Sequence, residues 1–389
     1  MDESESEPGA EPEAAGPGAG TDPTAWVHTG YAQQILFGVG SLGRLADLLK
    51  SVGIRRVLLI STAGRVGSDD GARVVKAIGR SLESTFAEVT SHAPTPMVQA
   101  AVMQARRDGV DGIVSFGGGS VADTGKAVCF FTEQERGTPG SSFADRPVLP
   151  HVSITTTYSG AELTPFFGMT DPTTRQKSGA GGPTIAPIAA VYDPELTLST
   201  PARVSAETGM NALAHCVEVV WSPYRTPESE AIALAGVRRI ADALPRVVDD
   251  PADLVARTDM LQGAILAGRC LQNASMGVHH GLAQLVGGRT GIPHGLANAI
   301  VLPAAMAYNA EAVPGALAKL ADALGADDAT VAVAALVERL GLPTRLSDVG
   351  VGDDDIEAVA RLSQGNGNVR ANPRPVSEDD ALRILESVF

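Results

Sequence analysis

A chain of 389 residues exceeds what one hydrophobic core usually organises, and its apolar content of 44% is enough to fill two. The formal charge of −15 is lopsided: the first 24 residues hold seven acids (Asp2, Glu3, Glu5, Glu7, Glu11, Glu13, Asp22) and no Lys or Arg, leaving −8 for a body with no basic footprint for nucleic acid or an anionic membrane, so a diffusible small molecule is the expected partner. Cys129, Cys216 and Cys270 form no Cys-x-x-Cys pair, and neither a leader nor a run of roughly 18 to 20 apolar residues is present, which argues against a disulfide framework, a structural zinc and a membrane span and for a cytoplasmic protein.

Residues 1–24 mix Glu, Ala, Gly and Pro without periodicity, the composition of a solvated acidic tail outside the fold. From Ile35 the chain reads as a short strand and turn, then a helix with Leu42, Leu45, Leu48 and Leu49 on one face, then a strand over Arg56 to Ser61. A helix around Gly71 to Leu82, a strand near Ser84 to Val89, a helix from Pro96 to Asp108 and a strand over Gly112 to Phe116 continue the alternation. Such alternation predicts a parallel sheet covered on both faces, a Rossmann-like α/β domain over residues 25–195. After Tyr192-Asp193-Pro194 the strand signals fade. Helices are predicted over Ser205 to Val220, Glu228 to Leu244, Pro251 to Cys270, Gly277 to Gly287, His294 to Tyr308, Pro314 to Leu324, Asp328 to Leu340 and Glu378 to Val388, an all-helical substrate domain over 196–389.

The strand ending at Phe116 runs into Gly117-Gly118-Gly119-Ser120 and then a helix. Without Cβ atoms this turn can lay backbone N–H groups against a phosphate, with the positive end of the helix aimed at the same point, which makes it a pyrophosphate cradle. Asp123 and Lys126 follow one turn apart, within reach of a nucleotide or of one another. An isolated turn of this kind is equally well read as a tight strand-to-helix connection, and its spacing is not the Rossmann fingerprint. Where an acid would hold a ribose hydroxyl, after Ile60, the chain has Ser61 and Thr62, so NAD and NADP are not separated.

Asn211 and His215 are four apart and share one helix face. His280 and His294 are fourteen apart across a Gly- and Pro-containing turn that can bring both to one cleft. Three imidazoles and an amide suit a weak metal site or a metal-free polar site for a carbonyl substrate. A structural role is the better reading of any one of these histidines alone; the arrangement of all four residues reverses that.

These pieces resemble the iron-type alcohol dehydrogenases over nearly the whole chain after the tail: Phe37-Gly38-Val39-Gly40-Ser41, Gly117 to Lys126, Tyr192 to Leu196, Thr208 to Glu218, His280, Pro293-His294-Gly295 to Asn298, Leu302-Pro303 and Tyr308-Asn309. The resemblance implies a cofactor between two domains, a homodimer, and a metal held by Asp, His, His and His. Here the position of that Asp is Asn211, and His215, His280 and His294 match the other ligands. An amide in place of the only anionic ligand weakens a hard Fe(II) or Mg(II) site, so any Fe or Zn would rest on the three histidines alone.

The same Asn, with Thr156-Thr157-Tyr158 to Pro165, Lys177-Ser178-Gly179 and Asn372 to Pro375, is similar to the maleylacetate reductase branch, which reduces maleylacetate to 3-oxoadipate with NADH or NADPH. On that resemblance the catalytic set is His215, His280, His294, Asn211 and Tyr158. The cofactor set is Gly117, Gly118, Gly119, Ser120, Asp123, Thr156, Thr157, Lys177 and Ser61, and Tyr158 and Arg374 are candidates for substrate carboxylates. Two departures stand out. Gln284 occupies a position where the family usually carries a further His, and Gly281 and Gly295 to Asn298 read more like the general alcohol dehydrogenase pattern. The alternatives are a metal-dependent alcohol or aldehyde dehydrogenase of the same fold and a nucleotide-binding lyase or cyclase without net redox.

Overall fold

The computed structural model describes residue 28 and residues 30–137, 147–173 and 177–389; the acidic segment over 1–24 lies outside the described residues. In chain order the first half comprises β1 (Gln34–Phe37), α1 (Leu45–Ser51), β2 (Val57–Ile60), α2 (Ala63–Val66), α3 (Asp69–Ile78), β3 (Leu82–Phe86), α4 (Thr95–Asp108), β4 (Gly112–Gly117), α5 (Gly119–Glu135), β5 (His151–Thr155), β6 (Phe166–Thr170), β7 (Lys177–Gly181) and β8 (Ala189–Tyr192). Six strands form one sheet in the order β1-β8-β5-β4-β2-β3 with every pairing parallel, while β6 and β7 make a separate antiparallel pair. The run Val-Leu-Leu-Ile of β2 is wholly buried because the sheet is covered on both faces. Val57 and Leu59 enter a cluster with Val114, Phe116 and Leu45, and Leu58 and Ile60 enter the opposite cluster with Ile113 and Val98.

The second half is helical: α6 (Ala202–Trp221), α7 (Pro227–Asp249), α8 (Leu254–Leu271), α9 (Val278–Thr290), α10 (His294–Asn309), α11 (Pro314–Leu324), α12 (Ala329–Arg339), α13 (Asp353–Ser363), α14 (Gly367–Arg370) and α15 (Glu378–Glu386). Nearly all of α6 is buried, and it packs against α7, α8 and α10. A helix buried on all sides sits at the centre of its bundle, and its polar residues have to find buried partners there. Pro303 lies within α10 and Pro245 within α7, where the sequence suggests a stop at Leu244, yet α7 runs on to Asp249. Among the described residues no helix is long and apolar enough to cross a membrane.

The mixed α/β class with a helical second half is as expected. The third strand lies earlier than expected, because Gly79 at φ 60° ends α3 and leaves Leu82–Phe86 extended. Sequence reading misses β5, whose His151 and Ser153 look polar: the Ser115 and Ser153 hydroxyls are 3.0 Å apart, and His151 Nε2 lies 2.7 Å from Ser115 Oγ. It also misses α13, whose three leading acids hide the pattern Ile356, Val359, Ala360, Ser363 on its buried face.

Candidate active site

The cradle forms where β4 and β5 end side by side, with Gly117 paired to Thr155. Gly117 has φ 156°, a conformation that disfavours any side chain, and a Cβ there would lie 2.7 Å from Val121 Cγ2. Gly118 and Gly119 approach the next loop closely: a Cβ on Gly118 would meet Thr157 at 3.1 Å, and one on Gly119 would meet Ser159 at 3.3 Å. The 17-residue α5 begins at Gly119 with no side-chain cap, so its first N–H groups have no side-chain acceptor. Thr156 and Thr157 are buried, and neither hydroxyl has a hydrogen-bond partner. Uncapped amides beside two orphaned hydroxyls fit the phosphate and amide groups of a nicotinamide dinucleotide.

Other residues expected around the cofactor have protein partners of their own or lie outside the described side chains. Lys126 is fully buried and donates to Ala161 O at 2.9 Å, to Thr164 Oγ1 at 3.0 Å and to Phe166 O, while Asp123 pairs with it at 2.8 Å. Asp123 and Lys126 thus make the mutual contact that their spacing allows. Ser61 is buried and donates to Phe116 O at 2.6 Å, which fixes the end of β2 and leaves no hydroxyl proton for a ribose. The backbone of Lys177 belongs to β7, and its side chain lies outside the described residues.

The cleft in the helical half gathers the predicted residues from α6, α9 and α10. Asn211 and His215 lie on α6, His280 on α9, and His294 at the first position of α10 after Pro293. The His215 and His280 rings stack with centroids 4.7 Å apart, and His280 and His294 are 5.9 Å apart. His215 is 7% exposed, and its Nδ1 has no hydrogen-bond partner. Burial, reinforced by the His280 charge, pushes its pKa well below the ordinary imidazole value, against the opposing pull of Glu218. Burial therefore favours the neutral form of the His215 imidazole.

Sequence reading overlooked the supports. Glu218, three residues beyond His215 and fully buried, accepts from Gly277 N at 2.9 Å and from His280 N at 3.2 Å. Its Oε2 also faces His279 Nδ1 at 3.2 Å and His280 Nδ1 at shorter range. Burial alone would raise the pKa of this carboxyl, but the two histidines outweigh it and hold the group far below the carboxylate range. His279 Nε2 donates to Asn298 O at 2.9 Å, and Asn298 Nδ2 donates to Asn211 Oδ1 at 2.8 Å. The readable signal was a charged residue inside the apolar run Cys216-Val-Glu-Val-Val-Trp221, which needs buried partners to exist there.

Tyr158 does not join this cleft. It is fully buried, and its hydroxyl accepts from Arg257 Nη1 at 3.2 Å inside the helical core, so a substrate carboxylate cannot reach it. Arg374 donates to Tyr308 O at 2.9 Å and lies over the Tyr308 ring at 4.1 Å. Gln284 Oε1 accepts from Asn368 Nδ2 at 3.2 Å.

The set fits a hard dication poorly. Asn211 brings no charge, and its amide oxygen already accepts from Asn298. Among the described residues, Glu218, His279 and His280 are the one group of three metal-ligating side chains whose ligand atoms converge within 4.8 Å. Those atoms are occupied with one another, as a hydrogen-bonded triad that orients His280.

The iron-containing alcohol dehydrogenase profile matches residues 32–194, and the C-terminal profile of the same family matches residues 205–389. The chain belongs to this family. It is an oxidoreductase, of a family that works with nicotinamide cofactors and often a metal. It is 37% identical over 361 residues to a maleylacetate reductase of Burkholderia cepacia, covering 93% of this chain and 96% of that one. The solved structure of maleylacetate reductase from Agrobacterium tumefaciens superposes with a TM-score of 0.83 at 34% identity, covering 94% of this chain and 98% of the other. That of a 1,3-propanediol oxidoreductase superposes with a TM-score of 0.88 at 28% identity, covering 93% and 100%.

Proposed function

We propose that this enzyme is an NAD(P)H-dependent reductase of the maleylacetate reductase type, acting without a bound metal on maleylacetate or a similar unsaturated oxo-acid in the breakdown of aromatic compounds. The observation that carries the metal-free reading is Asn211: it stands beside three histidines with its amide oxygen engaged by Asn298. The aligned maleylacetate reductases support the substrate class.

NAD(P)H supplies the hydride. Backbone N–H groups of Gly118, Gly119 and Ser120 bind the pyrophosphate, and the Thr156 and Thr157 hydroxyls orient the nicotinamide end. Neutral His215 donates a hydrogen bond to the oxo group, stabilising the enolate left by hydride addition to the conjugated double bond without a net charge in the cleft. The enolate carbon then takes a proton from solvent water to give the saturated oxo-acid. Glu218 accepts the Nδ1 proton of His280, which fixes that ring's tautomer and orientation beside His215. His294 completes the polar wall, and Gln284 can hydrogen-bond at its position but cannot relay a proton.

We further take the enzyme to be a cytoplasmic homodimer in which residues 25–195 and 196–389 are separate domains. The exposed Phe37 and Val39 beside the edge strand β1 support self-association. The function is tested by following NADH and NADPH oxidation with freshly generated maleylacetate and identifying the product. One cofactor oxidised per 3-oxoadipate formed is expected; no oxidation with either cofactor, alongside turnover of simple aldehydes, would move the assignment to an alcohol dehydrogenase.

A further inference from the structure

A separate cavity of about 460 Å³ lies where the end of α6 meets the start of α11, and none of Asn211, His215, His280 or His294 lines it. Three features of its wall call for the same ligand. Trp221 is 2% exposed and its indole Nε1–H has no hydrogen-bond partner, a buried donor that is costly until an acceptor is supplied. The 11-residue α11 starts at this wall with Pro314 at its first position, no side-chain cap and no acid in its first turn, and a Cβ on Gly315 would meet nothing within 4 Å. No acid of its own first turn meets its positive end. The third feature is charge: Arg225 and Lys319 share one acid, Glu230, at 2.9 Å and 2.6 Å, which leaves the wall with one net positive charge. The rest is apolar, with Val220, Val313 and the Trp221 ring.

We propose that this cavity binds an organic monocarboxylate with a flat apolar body, such as an aromatic or conjugated acid. The carboxylate accepts from the Trp221 indole and faces Lys319 and the start of α11, and the apolar body lies against Val220 and Val313. A single net charge and apolar walls match a monoacid, whereas phosphate brings more charge and nothing for the apolar surface to cover. The site lies near Glu218 and the start of α9 without touching the cleft. Trp221 is one turn beyond Glu218 on α6, and Pro373 in the wall follows Asn372, whose Oδ1 accepts from Val278 N at 3.2 Å at the start of α9.

Trp26 and Trp221 are the two tryptophans of the chain, so a full-length Trp26→Phe protein reports on Trp221 alone. Titration with benzoate is expected to give a saturable change in its emission, and benzyl alcohol, without the charge, no saturable change. Lys319→Gln should weaken benzoate binding at least tenfold with kcat in the absence of benzoate unchanged, and the signal should persist in His280→Ala. No saturable response, equal binding of benzyl alcohol, an unaltered affinity in Lys319→Gln, or loss of the signal in His280→Ala would each overturn the proposal. The last outcome would place the acid in the catalytic cleft. Because binding is read without turnover, the result stands independently of the substrate assignment.

Discussion

At the carboxyl end of β4 the chain offers backbone N–H groups and two threonine hydroxyls; between α6, α9 and α10 it offers imidazole rings and amides. The first region depends on what is absent, since three glycines let the backbone come close, and it tolerates no added bulk. The second depends on side chains whose orientation is set by buried partners, so it tolerates changes of shape better than the loss of a hydrogen bond. A binding failure should therefore follow damage to the first region, and a failure of chemistry should follow damage to the second.

The sharpest way to break this division is His280→Ala, for which we expect kcat to fall by roughly 10²-fold or more while the NADH dissociation constant stays within twofold. Stopped-flow turnover and fluorescence titration measure the two quantities separately, and unchanged kcat would remove His280 from the mechanism. Gly118→Val should do the reverse. Its methyl groups would be forced onto Thr157, and NADH affinity should drop at least tenfold, with a smaller change in kcat at saturating cofactor. Glu218→Gln keeps an acceptor for His280 Nδ1 but removes the charge; a fall in kcat of about tenfold with little change in KM is expected from loss of orientation.

Two smaller effects concern stability. Burial, with the nearby Lys126 charge, pushes the pKa of His151 down to about 3. The unfolded chain takes up this proton near pH 6.5 and the folded chain does not, so the stability from the neutral ring is complete above pH 6.5 and is lost as pH falls towards 3. The slope for this one group approaches about 1.4 kcal/mol per pH unit. Urea unfolding at pH 6 and pH 4 should show a shallower loss in His151→Gln than in the parent. Tyr158→Phe, which removes the hydroxyl that accepts from Arg257, should cost about 1 kcal/mol of stability and leave kcat within twofold; a large drop in kcat would return Tyr158 to the catalytic set.

What the sequence reveals follows the same division. The Asn211 and His215 spacing could be read because helical periodicity converts separation along the chain into a shared face, and the pairing of His280 with His294 because a Gly- and Pro-containing turn separates them. The triple glycine could be read as a turn, but which of its neighbours reach a ligand could not: Lys126 looked available and is consumed by three oxygens, one of them on β6. Glu218, His279 and Asn298 were hidden because their partners come from distant segments that only the packing of α6 against α9 and α10 brings together. β5 was hidden for a related reason, since its polar residues satisfy one another across strands rather than alternating with apolar ones.

The most direct test of a metal-free cleft built on Asn211 is to measure turnover on maleylacetate after exhaustive chelation, alongside metal content, and again after supplying Fe(II) or Zn(II). We expect the stripped enzyme to keep its full kcat and added metal to bring no gain. Loss of activity on stripping, restored by one equivalent of metal, would contradict the account and make the three histidines a metal site despite the amide.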